Sequence, residues 1–472
     1  MSSDDDPPEP ESPAQITGIV LAAGRGERLR SSVPKPAYPI CGRAMAAHVL
    51  HALGDAGIQR VVVVVPPEED GDVVRKAVND DSGCVALQFA VQQQARGTAD
   101  AVLAARKAVA TSHVLVVNGD LPLLTAGQVR PLLAPTGADA TIATAVVEEP
   151  ARMGRIVRDA DGGLSRIVEW RDASEAERCI REVNLGYYLF RADFLWPELE
   201  RIAADATAIA ETYATDAIPA AVANGSACAV EVSVDEMRLN VETPSDAAGA
   251  EAVVRSRILY RLLDSGVHIR DLQATWIDAQ AEIDAGVVIE PGTHIRGRSV
   301  IGEGSRVGPN AIIERAEIGK HCVVESCTIR DSTLHDSVEV GPYSTIRPGC
   351  EIESDVHIGT HAELKQAHLG EGVQVGHFSY LGDAEVGPRT NVGAGAVTCN
   401  FDGESKQRTI IGEDAFIGSD TMLIAPIRIG DRARTGAAAV VNRDVPDGGN
   451  AVGHPARFTP SRRTRDTAED DQ

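Results

Sequence analysis

At 472 residues the chain is longer than one ordinary domain of roughly 100 to 200 residues, so two folded parts with tails are expected. A formal net charge of −24, from 69 acidic and 45 basic residues, repels nucleic acid and anionic lipid and argues against both as partners. Aromatics make up 4% and hydrophobic residues 43%, which points to a core of aliphatic residues; no apolar run approaches the roughly 20 residues of a membrane span.

The first residues are acidic rather than basic and apolar, so the chain reads as cytosolic. Its eight cysteines contain no CxxC pair and read as reduced, mostly buried thiols. Only six of the 45 basic residues are lysines, so a lysine inside a motif carries information.

Residues 1–14 hold five acids and four prolines and read as a disordered arm; residues 459–472 read as a flexible tail. From 15 to 242, strand-like stretches at 16–22, 60–65, 85–91, 113–117, 140–147 and 227–234 alternate with helical patterns such as 99–110. Near-continuous apolar strands between helices predict a doubly wound α/β sheet, with ligands at the carboxyl ends of the strands. The first strand runs into Gly24-Arg25-Gly26-Glu27-Arg28-Leu29, where backbone NH groups can approach a phosphate that Arg28 and Lys35 would neutralise. It is neither a P-loop nor a dinucleotide fingerprint, and by itself fits an ordinary glycine turn equally well. Asn118-Gly119-Asp120 follows another apolar strand, where Asp120 could hold a Mg²⁺ bridging phosphates or merely end the strand in a turn.

Residues 243–266 read as a connecting helix, with Thr243 as cap, Pro244 in the first turn, Asp246 three residues after the cap and Gly266 as the stop. From 267 to 458 the period becomes six. Aliphatic residues fall at Ile283, Ile289, Ile295, Ile301, Val307 and Ile313, at Leu334, Val340, Ile346, Ile352, Ile358 and Leu364, and at Ile411, Ile417, Leu423 and Ile429. This spacing predicts a parallel β-helix of hexapeptide repeats with the aliphatic residues pointing inward. Two places break the plain pattern: 343–349 with Arg347, and 361–365 followed by 376–383, with Glu363, Lys365 and His377. A histidine suits general-base work on an amine, a carboxylate such as Glu363 could orient it, and Arg347 and Lys365 could bind a phosphate. Spacing alone does not single out His377 from His321, His335, His357, His361 and His368, which a β-helix would display outward.

The stretches LAAGRGERL, VPKPAYPICGRAM, QQQARGTADA, NGD, MGRIV, IVEWRDA, VNLGYYLF and ETYATDAI resemble, in order and spacing, the nucleotide-sugar pyrophosphorylase family. The repeats with GHFSYLGDAEVG, NVGAGAVTCNFDG and FIGSDTMLIAP resemble the acetyltransferase half of the bifunctional N-acetylglucosamine-1-phosphate uridylyltransferase/glucosamine-1-phosphate N-acetyltransferase family. The resemblance covers about 16–457 and implies a Rossmann-like nucleotidyltransferase domain, a connecting helix and a left-handed parallel β-helix. It implies acetyl transfer from acetyl-CoA to glucosamine 1-phosphate, then uridylyl transfer from UTP to N-acetylglucosamine 1-phosphate. Leu21, Ala22, Gly24, Arg28, Lys35, Gln92, Gly97 and Thr98 would bind the nucleotide; Asn118, Gly119, Gly154, Glu169 and Asn184 the sugar phosphate; Asp120 and Glu242 the Mg²⁺. In the second domain His377 would be the base, Arg347, Lys365, Tyr380 and Asn391 would bind the amino sugar phosphate, and Ala394, Asn400, Phe401, Ser419 and Ala437 would meet acetyl-CoA. A homotrimer formed through the β-helix is also implied.

The chain departs from the family pattern at Glu27 (usually Thr), Ala99-Asp100 (usually Gly-His), Asn118 (usually Tyr), Glu242 (usually Asn) and Phe401 (usually Tyr), and the arginine expected near the C-terminus is displaced to Arg457. Extra acids beside a triphosphate are unfavourable unless they face solvent or metal. These departures keep open a single-activity sugar nucleotidyltransferase whose β-helix serves oligomerisation or regulation. A pure assembly scaffold leaves Lys35, Asp120 and His377 without a role.

Overall fold

The computed structural model describes residues 15–83, 85–134, 137–205, 211–233 and 240–453. The expected arm at 1–14, the tail at 459–472, and Arg457 lie outside these residues. The chain divides into two compact units between Ser256 and Arg257.

The first unit is built on one mixed sheet. Its strands are β1 (Ile16–Leu21), β2 (Arg60–Val65), β3 (Ala86–Val91), β4 (His113–Asn118), β5 (Ala140–Val146), β6 (Arg155–Arg158), β7 (Leu164–Val168), β8 (Glu182–Arg191) and β9 (Ala227–Glu231). The spatial order is β9-β5-β8-β4-β1-β2-β3, with β6 and β7 forming a hairpin off β8. β1 pairs in parallel with both β2 and β4, so β1 and the paired strands on either side of it end on the same edge. The runs IVL, VVVVV and VLVV make these strands buried on both faces, as crossover helices on the two sides require. Residues Met45–Asp55 form α1, Glu68–Asn79 α2, Thr98–Ala105 α3 and Ala192–Asp205 α4.

Three strands differ from the sequence reading, which names neither the hairpin β6 and β7 nor β8, the longest strand. It lies in the middle of the sheet, antiparallel to β4 and β5, and its register slips between Asn184 and Tyr188. Four steps on β8 there face two on β5, a bulge that breaks the alternation by which a strand is recognised.

The helix Pro244–Asp264 (α5) starts on the box the sequence suggests. Thr243 Oγ1 donates to Asp246 Oδ2 at 2.8 Å, and the Asp246 amide donates back to Thr243 Oγ1 at 3.2 Å. It ends where Gly266, at φ +93°, donates to the Leu263 carbonyl and Val267 to that of Leu262.

The second unit is a left-handed parallel β-helix whose short strands stack into three sheets of 11, 10 and 9 strands. Every third strand pairs in register, as with Val288 on Arg306 and Ile289 on Val307. The six-residue ladder is its core: from Ile289 onward each aliphatic residue named above is at most 3% exposed, each worth roughly 1.5 to 3 kcal/mol of burial. Ile283, at the first turn, is half-buried. Between Ile313 and Leu334 the inward residues are Ile318, Val324 and Ile329, so tighter corners of five residues interrupt the period. Farther on, a loop over 400–408 leaves the solenoid before Thr409 pairs with Ala384. All seven described cysteines are free, and Cys41, Cys322, Cys327 and Cys350 are buried. Among the described residues, no helix is long and apolar enough to cross a membrane.

Candidate functional site

In the first unit, residues from five sequence stretches meet at the carboxyl edge of β1 and β4. The Gly119 amide donates to the Leu21 carbonyl at 2.9 Å and the Ala22 amide to that of Val64 at 2.8 Å, which draws the ends of β1, β2 and β4 together. Gly26 has φ +67°, and a Cβ there would lie 2.4 Å from Lys35 Cβ, so only glycine lets the loop fold over this lysine. Lys35, largely buried, places Nζ 2.5 Å from Asp120 Oδ2. The other oxygen, Asp120 Oδ1, is buried and has no hydrogen-bond partner. An anionic oxygen left bare in a buried site is where a cation would be expected to bind. The Val241 amide donates to the Asp120 carbonyl at 3.0 Å and so brings Glu242 to the site, where Arg28 Nη1 meets it at 2.5 Å. The structure thus pairs Arg28 with Glu242.

Gln92 Nε2 donates to the Gly97 carbonyl at 2.9 Å and to Asp100 Oδ2 at 3.1 Å. Thr98 Oγ1 accepts the Ala214 amide at 2.8 Å, tying ETYATDAI to the start of α3. The two unusual acids are therefore placed differently: Glu27 is exposed, whereas Asp100 engages Gln92.

The expected sugar-binding residues converge. The Asn184 amide donates to the Gly154 carbonyl at 2.9 Å, and a Cβ on Gly154 would lie 3.3 Å from Glu169 Oε1. The bulge in β8 also brings Gly186 to Asn118, whose Nδ2 would be 3.1 Å from an added Cβ. Burial, reinforced by Asp172, pushes the Glu169 carboxyl up against the smaller effect of Arg171. Two residues here were not singled out from the sequence. Tyr188 Oη accepts from Asn184 Nδ2 at 2.8 Å and fixes that amide. Arg155, 2% exposed, donates to the carbonyls of Met153 and Ala151, the latter at 2.9 Å, and holds the loop that carries Gly154. Their signal was only their presence inside VNLGYYLF and MGRIV.

In the second unit His377 lies on a corner, two residues past the buried Val375, and is exposed. Among the described residues its ring makes no hydrogen bond. The registers Val375 on Val392 and Val392 on Ile417 carry His377, Ala394 and Ser419 into one line, continued by Ala437 one coil on. Glycine precedes each of these four, and a Cβ on Gly359 would lie 1.9 Å from the Gly376 carbonyl oxygen, so successive coils approach as closely as backbone allows.

Arg347 and Lys365 follow the paired inward residues Ile346 and Leu364 on the adjacent sheet, one strand apart. Arg347 Nη1 donates to Glu363 Oε1 at 2.8 Å, so Glu363 is engaged by Arg347 rather than by His377. Tyr380 stacks in register on Glu363. Its hydroxyl is 3.5 Å from Asn400 Nδ2, which donates to Asp383 Oδ2 at 2.5 Å. Asp383 was missed by the sequence reading. Asn391, exposed, lies on a different sheet from Arg347, Lys365 and Tyr380. Phe401 projects from the 400–408 loop, bridged to Lys406 and 56% exposed. Beside His377, Phe378 stacks on His361 at a centroid separation of 5.1 Å, and His361 in turn meets Tyr343 at 5.4 Å with the rings tilted by 43°.

Comparison with known proteins fits both units. The MobA-like NTP transferase domain family matches residues 18–216, the bacterial transferase hexapeptide (six repeats) residues 280–315, and the hexapeptide repeat of succinyl-transferase residues 408–443. Bifunctional protein GlmU of Heliobacterium modesticaldum is 38% identical over 442 residues, covering 92% of this chain and 95% of its own length. Its namesake from Geobacillus sp. is 39% identical over 435 residues, covering 91% and 93%. That of Anaeromyxobacter dehalogenans is 39% identical over 424 residues, covering 89% and 86%. With relatives of this likeness along nearly its whole length, the chain belongs to the bifunctional GlmU family and joins a uridylyltransferase to an acetyltransferase in one polypeptide.

Proposed function

We propose that each unit carries one of the two activities on the residues just placed. In the first, Leu21, Ala22, Gly24, Arg28, Lys35, Gln92, Gly97 and Thr98 bind UTP, while Asn118, Gly119, Gly154, Glu169 and Asn184 hold N-acetylglucosamine 1-phosphate. A phosphate oxygen of the sugar attacks the α-phosphorus in line and pyrophosphate leaves. That oxygen is already nucleophilic, so no strong base is required; positioning and charge neutralisation, to which Lys35 and Arg28 contribute, carry the step. The bare Oδ1 of Asp120 and the carboxylate of Glu242 are hard oxygen donors that suit Mg²⁺. They would hold the ion, which when bound supplies positive charge to the phosphates.

In the second unit His377 takes a proton as the amine of glucosamine 1-phosphate attacks the acetyl-CoA thioester; a carbon–nitrogen bond forms, the carbon–sulfur bond breaks and the thiol of CoA leaves. Arg347 and Lys365, one strand apart, bind the acceptor's phosphate with Tyr380 beside them. The line Ala394, Ser419, Ala437 leaves room for an extended acyl carrier, with Asn400 and Phe401 at the loop. Asn391 lies on a different sheet from Arg347 and Lys365 within one chain, which favours a site shared between chains; the assembly is read as a homotrimer joined through the β-helix, and the protein as cytoplasmic.

The observation that carries the reading is Lys35 closed on one oxygen of Asp120 while the other stands bare. Two assays on the full chain test it: pyrophosphate release from UTP with N-acetylglucosamine 1-phosphate, and acetyl transfer from acetyl-CoA to glucosamine 1-phosphate. Both reactions are expected. Absence of acetyl transfer would reduce the β-helix to an oligomerisation module, and preference for another nucleotide or sugar phosphate would overturn the substrate assignment.

A further inference from the structure

On the outer face of the third sheet of the β-helix, two imidazoles and two carboxylates lie on neighbouring coils. Leu334, Ile352 and Leu369 point inward on three successive coils, and the residues flanking them point outward. One outward row therefore places His335 next to Glu353, and the other places Glu351 on His368. The rows are cross-linked. His335 Nε2 lies 3.8 Å from Glu351 Oε1 and 3.8 Å from Glu353 Oε2, and His368 Nε2 lies 3.3 Å from Glu353 Oε1.

These separations are instructive. A hydrogen bond between an imidazole and a carboxylate closes to about 2.7 to 3.2 Å. Two ligands of one tetrahedral ion, each about 2.1 Å from it, stand roughly 3.4 Å apart. The His335 distances are too long for hydrogen bonds and close to that ligand–ligand spacing. Independently, His335 Nε2 is shielded from solvent and has no hydrogen-bond partner, although the rest of the side chain is 42% exposed. One donor atom each of His335, Glu351 and Glu353 lie within 4.8 Å of one another. An open cleft of about 400 Å³ lined by Glu351, His368, Lys406 and Arg408 borders the cluster and provides an entry path.

We propose that His335, Glu351 and Glu353 form a site for a divalent transition-metal ion of the Zn²⁺ type that ties two successive coils of the β-helix together, with His368 on the third coil holding the Glu353 carboxylate by its 3.3 Å hydrogen bond and water completing the shell. Mixed imidazole and carboxylate donors select such an ion over Mg²⁺, which prefers oxygen alone. The site differs in place and chemistry from Asp120 and Glu242, so it stands or falls separately from the catalytic reading.

The test uses the full chain, stripped of metal, with Co²⁺ as a spectroscopic probe and Zn²⁺ as competitor. Wild type is expected to show the visible absorption of four- or five-coordinate Co²⁺ with nitrogen ligands, abolished by one equivalent of Zn²⁺ per chain. His335→Asn and, independently, Glu353→Gln should weaken Zn²⁺ binding at least tenfold, while Asp120→Asn leaves it unchanged. Zn²⁺ should also raise the melting temperature of wild type more than that of either variant. Wild type without the Co²⁺ band overturns the proposal regardless of how the variants fold. So does undiminished binding in the two variants, or its loss in Asp120→Asn.

Discussion

Two side chains decide where chemistry can occur, and each gives a separable prediction. Asp120 offers one oxygen to Lys35 and keeps the other bare in a buried site. Asp120→Asn removes the anionic charge while keeping the shape; pyrophosphate release should fall at least a hundredfold at low Mg²⁺, with acetyl transfer unchanged. Full activity at low Mg²⁺ would remove Asp120 from the metal role. His377 stands exposed on its corner with no hydrogen bond to its ring among the described residues, accessible to an incoming amine. General-base catalysis contributes roughly 10² to 10⁴ in rate, so His377→Ala should lower acetyl-transfer kcat by about that factor and leave uridylyl transfer intact. Asp120 was legible as a candidate because it lies in a short motif just past a predicted strand, and Lys35 because it is one of only six lysines and sits inside the stretch VPKPAYPICGRAM. Arg155, Tyr188 and Asp383 were not, because their partners are a loop carbonyl, an amide and a distant asparagine that only folding supplies.

At the level of elements, helix α1 contains a group that couples folding to pH. His48 is buried with its Nε2 on the Ile40 carbonyl at 2.9 Å, and burial, opposed by that hydrogen bond, lowers its pKa from 6.5 to about 4. The unfolded chain takes up the proton first, so the stability contributed by neutral His48 is complete above about pH 6.5 and is lost as the pH falls toward 4. The full shift is on the order of 3 kcal/mol, of which about 2 falls between pH 7 and pH 5. Urea unfolding of wild type and His48→Leu at those two pH values checks this: the variant should lose less stability on acidification, and equal losses would disprove it. The loop before α1 is as exacting. Gly26→Ala forces a Cβ into Lys35 at a positive φ, and should lower uridylyl transfer at least tenfold with little change in the melting temperature of the β-helix unit. In that unit Leu364→Ala empties part of an inward rung that is 0% exposed and should cost about 2 to 5 kcal/mol in denaturant unfolding.

For the molecule as a whole, the charge of −24 requires phosphate sites to be local islands of positive charge on an acidic body. Lys35 in the first unit and Arg347 in the second are held in ion pairs with Asp120 and Glu363, so a phosphate there would have to compete with a carboxylate, whereas Lys365 next to Arg347 adds a further positive charge. Light scattering on the full chain should give the mass of three protomers; a monomer with full acetyltransferase activity would disprove a site shared between chains.

Sequence by itself determined the α/β sheet of the first unit, the capped helix and the solenoid. Each is a local periodicity or cap, and the aliphatic ladder holds from coil to coil because the same contact repeats. Only the tertiary structure supplied the antiparallel strand at the centre of the sheet, since its bulge erases the alternation that marks a strand. It alone also paired Arg28 with Glu242, engaged Glu363 with Arg347, and gathered His335, Glu351, Glu353 and His368 on one face. Those outcomes depend on which coil or loop lies beside which, and charged side chains take the nearest partner that the backbone register offers.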